Sequence, residues 1–225
     1  MVKTEQTAAA VCASAPLSES NWLEFSTLSG IQGLLAGVDE VGRGSLFGPV
    51  VAAAVILPDH ALPELMAAGI KDSKKLSSSR RTELAQQICG LAIDWKIGFA
   101  STAEIDQMNI LQATLLAMKR AVLKLKVQPV LCLIDGNQSV KNLLIPQQTI
   151  VKGDERSLTI ASASIVAKVW RDDLVLRLAA KYPMYDLARN KGYGSQRHLL
   201  ALQQYGSSPL HRKSFRPCQI KILSN

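Results

Sequence analysis

Residues 49–57 (PVVAAAVIL) hold nine consecutive residues without one polar side chain. Side chains along a strand alternate between two faces, so a strand made of such a run must be covered on both. That requirement excludes an isolated hairpin and points to a sheet sandwiched between helices. Residues 34–41 (LLAGVDEV) predict another strand, running into the turn Gly42-Arg43-Gly44. Residues 95–102, 129–135 (PVLCLID) and 148–151 predict three more. Between them, residues 77–92 read as a helix with serine caps at its start. Residues 104–125 read as one strong helix, because Ile105, Met108, Leu111, Leu115, Met118, Val122 and Leu125 recur every three or four positions. Residues 157–181 form a second long helix, ended by Tyr182-Pro183. The order β-β-α-β-α-β-β-α predicts a layered α/β domain with a mixed sheet. We place it at residues 31–186, after a loosely ordered extension over 1–30 and before a small basic helical appendage over 187–225.

Charge is divided unevenly along the chain. The net charge of +8 over 225 residues hides 8 Lys and Arg against 12 Asp and Glu up to Ile110, and 18 against 6 afterwards. After Asp186 there are seven cations (Arg189, Lys191, Arg197, Arg212, Lys213, Arg216 and Lys221) and no carboxylate. A one-signed field attracts polyanions, although a solvated basic surface has the same composition. No apolar run approaches the roughly 18 residues of a membrane helix. The Ala-Ser-Ala that ends at Ala15 follows a stretch too short and too poor in Leu for a secretory signal. The four cysteines (Cys12, Cys89, Cys132 and Cys218) lack CxxC spacing, and Cys89 and Cys132 read as small core residues. A reducing, cytoplasmic setting is expected.

Four acids share one context. Asp39 and Glu40 close the first strand, Asp135 closes 129–135, and Asp154 follows 148–151. Ligands of open α/β sheets bind at the carboxyl ends of strands. Carboxylates gathered there repel one another unless a divalent ion neutralises them, and an all-oxygen set suits Mg²⁺ or Mn²⁺. Two such ions about 4 Å apart can clamp the attacking and leaving oxygens of a phosphodiester. Any one strand-end acid alone reads better as a cap or a surface ion pair; the four together favour a metal site. Asp39 and Glu40 are neighbours and should point to opposite faces. Both serve one site only if the strand bends near Gly42, if the longer Glu curls round, or if Glu40 also offers its carbonyl.

Gly37-Val38-Asp39-Glu40-Val41-Gly42-Arg43-Gly44 strongly resembles the opening motif of type 2 ribonuclease H, ribonuclease HII. Further segments agree in order and spacing: Asp72-Ser73-Lys74-Lys75-Leu76, Leu133-Ile134-Asp135-Gly136-Asn137, Val151-Lys152-Gly153-Asp154, Ala161 to Val169 with Arg171-Asp172, Lys191-Gly192-Tyr193-Gly194-Ser195 and His211 to Phe215. The match runs from about residue 33 to 218. The resemblance implies a ribonuclease H-like mixed sheet flanked by helices. It also implies hydrolysis of RNA–DNA hybrids, and cutting 5′ of single ribonucleotides in duplex DNA, to leave 3′-hydroxyl and 5′-phosphate ends. Asp39, Glu40, Asp135 and Asp154 are then the ligands of two Mn²⁺ or Mg²⁺ ions. Asp39 would bridge both, with Glu40 and Asp135 flanking one and Asp154 the other.

Only the 2′-hydroxyl distinguishes RNA from DNA locally. By resemblance, Gly42, Arg43 and Gly44 read it, with the Tyr193 ring stacked on the following sugar. Without the resemblance, the turn reads as an ordinary tight turn and Tyr193 as an aromatic in a Gly-rich loop. Lys74 and Lys75 read as phosphate anchors or a solvated helix start. Lys168 and Arg171, three apart on one helix, would face duplex or solvent, and His211-Arg212 the duplex backbone. Ser164 is a weak candidate for a phosphate contact. The expected partner is a hybrid or a ribonucleotide-containing duplex, met by a monomer that a replication or repair partner could recruit. Two rivals remain. A DNA nuclease of the same fold group, such as a resolvase or integrase, also clusters acids but has no use for a 2′-hydroxyl reader. A non-catalytic binding module would explain the basic tail and not the acids.

Overall fold

The computed structural model describes residues 33–70 and 76–219. The predicted extension over 1–30, with Cys12, and the segment containing Lys74 and Lys75 lie outside them. Five strands form one sheet: β1 (Leu35–Val41), β2 (Val50–Ile56), β3 (Asp94–Ala100), β4 (Leu131–Asp135) and β5 (Gln147–Ile150). Their spatial order is β3-β2-β1-β4-β5. β1 and β2 pair antiparallel, as do β2 and β3, whereas β1–β4 and β4–β5 are parallel. The sheet is therefore mixed, and every residue of β2 is buried, as its unbroken apolar run requires.

Seven helices accompany the sheet among the described residues: α1 (Leu62–Ala67), α2 (Ser78–Leu91), α3 (Thr102–Met108), α4 (Ile110–Leu123), α5 (Leu158–Ala179), α6 (Leu187–Asn190) and α7 (Gln196–Tyr205). Even-numbered β2 residues (Val50, Ala52, Ala54, Ile56) share a core with Ala113, Ala117, Met118 and Ala121 of α4. Odd-numbered Ala53 and Val55 pack with Leu84 and Ile88 of α2 and Leu158, Ala161 and Ile165 of α5 on the other face. α5 lies close to β1. A Cβ on Gly37 would come within 2.1 Å of the Thr159 carbonyl carbon, so only glycine lets this helix touch this strand.

The predicted helix over 104–125 is two helices. Asn109, at φ 73° and ψ 165°, breaks it, and its side chain accepts hydrogen bonds from the Leu111 and Gln112 amides to start α4. The apolar spacing disguised the break, because Ile105 of α3 and Met118 and Val122 of α4 enter the same core. Leu111, expected on the core face, is exposed instead. Serines begin four other helices: Ser77, Ser101, Ser157 and Ser195 each accept a backbone hydrogen bond at an N-cap.

The residues after α5 fold back on the turn that follows β1. Leu46 and Phe47 pack with Val175, Tyr185, Leu187, Ala201, Leu202 and Cys218 in a separate core. Among the described residues, no helix is long and apolar enough to cross a membrane. Cys89, Cys132 and Cys218 are free thiols, with Cys132 and Cys218 buried and Cys89 half-buried. Burial pushes the Cys89 and Cys132 thiols up, to about 11 and about 12.

Candidate active site

β1 and β4 run parallel at the centre of the sheet, so their carboxyl ends lie side by side. Asp39 faces α5, like Gly37 two residues earlier on the strand. Asp135 ends β4 on the same face, and beyond it the chain turns away at Gly136, φ 97°. Glu40 starts from the opposite face. With β4 ended, its longer side chain reaches round the open edge, and ligand atoms of Asp39, Glu40 and Asp135 all lie within 4.8 Å of one another. β1 keeps its pairing as far as Val41, and the Glu40 carboxylate therefore joins the cluster without a bend in the strand.

Asp154 lies just outside this group. β5 ends at Ile150, and Lys152 in the left-handed region turns the chain into a short 3-10 turn, Gly153–Glu155. The Gly153 amide donates to Asp135 Oδ1 at 2.6 Å, and the Asp154 charge acts on Asp135. Asp154 thus borders the cluster from a turn rather than from a strand end.

The electrostatics are those of a site short of positive charge. Burial raises the Asp39 pKa well above the ordinary carboxylate range; Glu40 and Asp135 raise it further, against hydrogen bonds from Ser164 and the Glu40 amide. Burial also raises Glu40, opposed by Arg43, and raises Asp135, reinforced by Asp154. Arg43 sits 3.2 Å from Glu40 Oε1 with half its side chain exposed, so it screens the group weakly. Among the described residues, three clustered, partly desolvated carboxylates have one exposed cation beside them, which fits a divalent ion with oxygen ligands.

The turn Gly42-Arg43-Gly44 follows directly, with Arg43 and Gly44 exposed and Gly42 buried. Tyr193 reaches the same region because the Leu46 amide donates to the Gly192 carbonyl, docking its loop on the turn. Lys168 Nζ lies 5.6 Å from the Tyr193 ring centroid and the Arg171 guanidinium 5.5 Å.

A mixed sheet with these acids at its parallel centre invites comparison with known proteins. The family model described as Ribonuclease HII matches residues 36–218. The chain belongs to the ribonuclease HII family. A ribonuclease HII of Nostoc sp. is 72% identical over 221 residues, 98% of each chain. That of Trichormus variabilis is 68% identical over 99% of each. Among solved structures, ribonuclease H2 from Pyrococcus horikoshii superposes with a TM-score of 0.72 at 26% identity, over 83% of this chain and 95% of that one. Ribonuclease HII of Archaeoglobus fulgidus, solved in complex with PCNA, gives 0.64 at 29% identity, over 76% and 86%. As a ribonuclease HII, the protein is an endoribonuclease with a ribonuclease H-like fold.

Two expectations about cations are overturned. Arg171 and Arg212 are fully buried, and His211 is 1% exposed, so none of the three faces duplex or solvent. For Arg171 a signal was present: Ala167, Arg171 and Val175 fall at i, i+4 and i+8, all on the buried face of α5. Ser164, a weak candidate for a phosphate contact, sits beside Asp39 and lowers its pKa. His198 and His211 form a buried pair, Nε2 to Nε2 at 2.9 Å, that reaches the Tyr193 carbonyl through His198 Nδ1.

Proposed function

We propose that this ribonuclease HII cuts the RNA strand of RNA–DNA hybrids and cuts 5′ of single ribonucleotides in duplex DNA, leaving 3′-hydroxyl and 5′-phosphate ends. The observation that carries this reading is the approach of Asp39, Glu40 and Asp135 to within 4.8 Å, beside an exposed Gly-Arg-Gly turn. Asp39, Glu40, Asp135 and Asp154 would hold two divalent ions, Mn²⁺ or Mg²⁺, which activate water and stabilise the leaving oxygen when bound. Asp39, flanked by Glu40 and Asp135, would be the central ligand of that set. The protein's own groups prepare that site. The Glu40 amide orients Asp39, and the Gly153 amide orients Asp135.

Substrate reading falls to the turn and the tyrosine. Gly42, Arg43 and Gly44 bring backbone close to the ribose, Arg43 can leave Glu40 for a phosphate, and Tyr193 stacks on the next sugar. Lys74 is assigned to a phosphate of the same strand. Arg189, Arg197, Lys213 and Arg216 are exposed on the tail and supply the sequence-independent attraction to the duplex. One chain carries the whole acidic cluster, so we assign activity to the monomer, in a cytoplasmic setting that keeps its thiols reduced. The PCNA complex of the Archaeoglobus fulgidus relative makes a replication clamp the partner to test first.

The test uses a DNA duplex carrying one ribonucleotide, incubated in Mg²⁺ or Mn²⁺ beside an all-DNA duplex and the Asp39→Asn variant. Cleavage immediately 5′ of the ribonucleotide, absent from both controls, is expected. Folded protein that binds the duplex and cuts in neither metal would reduce the chain to a binding module. Equal cutting of the all-DNA duplex would make it a DNA nuclease.

A further inference from the structure

Arg171 and Arg212 are the largest fully buried side chains of the described residues, and neither is paired with a carboxylate. Their donors go to backbone carbonyls and one hydroxyl. Arg212 donates to the carbonyls of Gly48 (3.1 Å), Arg43 (2.7 Å) and Gly42 (2.7 Å). Arg171 donates to those of Pro49 (3.2 Å), Lys191 (3.0 Å) and Phe47 (3.0 Å), and to Ser45 Oγ (2.7 Å). Five of these carbonyls belong to the segment 42–49. Burying a guanidinium is costly, and such a pair repels itself, so stability alone gives little reason for this arrangement. Burial and the Arg171 charge lower Arg212 to about 9, which still leaves it charged at neutral pH.

Peptide planarity gives the arrangement a direction. The Gly42 carbonyl shares a trans peptide with the Arg43 amide, and the Arg43 carbonyl shares one with the Gly44 amide. In a trans peptide the C=O and N–H point opposite ways. Arg212 draws both carbonyls inward, so the Arg43 and Gly44 amides must point away from the buried guanidinium, at the exposed side of the turn. The positive charge behind each carbonyl also polarises its peptide and makes the outward N–H a stronger donor. Gly42 cannot be replaced without moving the clamp, since a Cβ there would lie 2.2 Å from Arg171 Nε.

We propose that Arg212, braced by Arg171 and Ser45, is a positioning residue for substrate discrimination: it aims and polarises the two turn amides that meet the ribose. The inference rests on the functional reading above and extends it to residues that touch no substrate. A residue acting only through charge would weaken binding to every duplex alike. A residue that aims two donors at one hydroxyl should affect only the duplex that carries it.

The experiment compares wild type with Arg212→Lys, which keeps the charge and loses the fork. It measures affinity, in Ca²⁺, for two duplexes differing by a single 2′-hydroxyl, and kcat and KM in Mg²⁺ on the ribonucleotide duplex. We expect the preference for the ribonucleotide duplex to fall about tenfold, the worth of one or two neutral hydrogen bonds, while all-DNA affinity holds. Parallel loss on both duplexes, or an unchanged preference, overturns the proposal. If Arg212→Lys does not fold by circular dichroism, Ser45→Ala carries the test. It removes one Arg171 acceptor and leaves both cations, and it must shift the preference in the same direction for the proposal to stand. Wild-type indifference to the 2′-hydroxyl would sink the functional reading itself, whereas preference retained in the variants sinks this inference alone.

Discussion

Two clusters of like charge lie a few residues apart, and they are solved in opposite ways. At the ends of β1 and β4, Asp39, Glu40 and Asp135 crowd together, with one exposed arginine beside them among the described residues. Behind the turn at 42–49, Arg171 and Arg212 crowd together with no carboxylate, yet carbonyl oxygens surround them. Among the described residues no buried side-chain nitrogen or oxygen lacks a hydrogen-bond partner. The difference lies in charge rather than in hydrogen bonding. Fixed dipoles already answer the cations, whereas the acids wait for a countercharge from outside. One cluster is built to hold the chain and the other to bind something.

The sharpest way to break this comparison is Asp39→Asn. We expect activity to fall on the order of 10²–10³-fold, as when a preorganised electrostatic group is lost, while the metal-free protein becomes more stable because one repelling charge is gone. A relief of about 1 kcal/mol raises Tm by about 2–4 °C in a chain of this size. A fall in metal-free Tm would show that Asp39 is satisfied without an ion. Arg212→Ala should do the reverse to stability. It strands the Arg43 and Gly48 carbonyls, leaves that of Gly42 with the Ser45 amide alone, and opens a cavity, which costs about 3 kcal/mol or more. Thermal unfolding checks it, and an unchanged Tm would deny that the arginine holds the turn.

Addition of Mg²⁺ or Mn²⁺ should raise the Tm of wild type in proportion to ln(1 + [M]/Kd), and that of Asp39→Asn much less. Equal shifts in both proteins would place the ion elsewhere.

Acidification separates the acids from the buried histidine pair by sign. Burial lowers His211 to about 4 and lowers His198 as well. Above about pH 6.5 both states leave these rings neutral, and nothing is lost. Below it the unfolded chain takes up protons before the folded one, so their contribution to stability falls progressively toward pH 4. The raised pKa values of Asp39, Glu40 and Asp135 act the other way. There the folded chain holds more protons above pH 4, and stability falls as pH rises through their titration. Denaturation of His211→Gln between pH 7 and 4 should show a smaller slope than wild type; an identical slope would remove the histidines from the account. The smallest effect expected is Ser101→Ala, which breaks the capping box with Glu104 at α3. It should cost about 1 kcal/mol by denaturant titration with activity unchanged.

Legibility followed the same division. The acids at 39, 40 and 135 could be read because an acid closing an apolar run is an anomaly visible in one dimension. Asp154 was read from the same pattern, and its turn after β5 was not. The caps at Ser77 and Ser157 were equally local. Asn109 escaped because apolar spacing continues across a break when two helices face one core. The buried arginines escaped for a different reason. In the basic tail, Arg212 looks like Lys213 beside it, and its three acceptors lie up to 170 residues away along the chain. Arg171 could have been placed by its helical register, but its acceptors could not.

The sequence by itself determined the layers, the strand whose two faces need cover, the serine-capped start at residue 77 and the acids at strand ends, since each depends on residues near one another in the chain. Only the tertiary structure decided which cations meet solvent and which meet carbonyls, how Glu40 rounds the end of the sheet to join Asp39, and how the tail returns to the first turn. Those outcomes depend on which backbone dipoles arrive beside a charge, and that is settled by packing rather than by the neighbours in the chain.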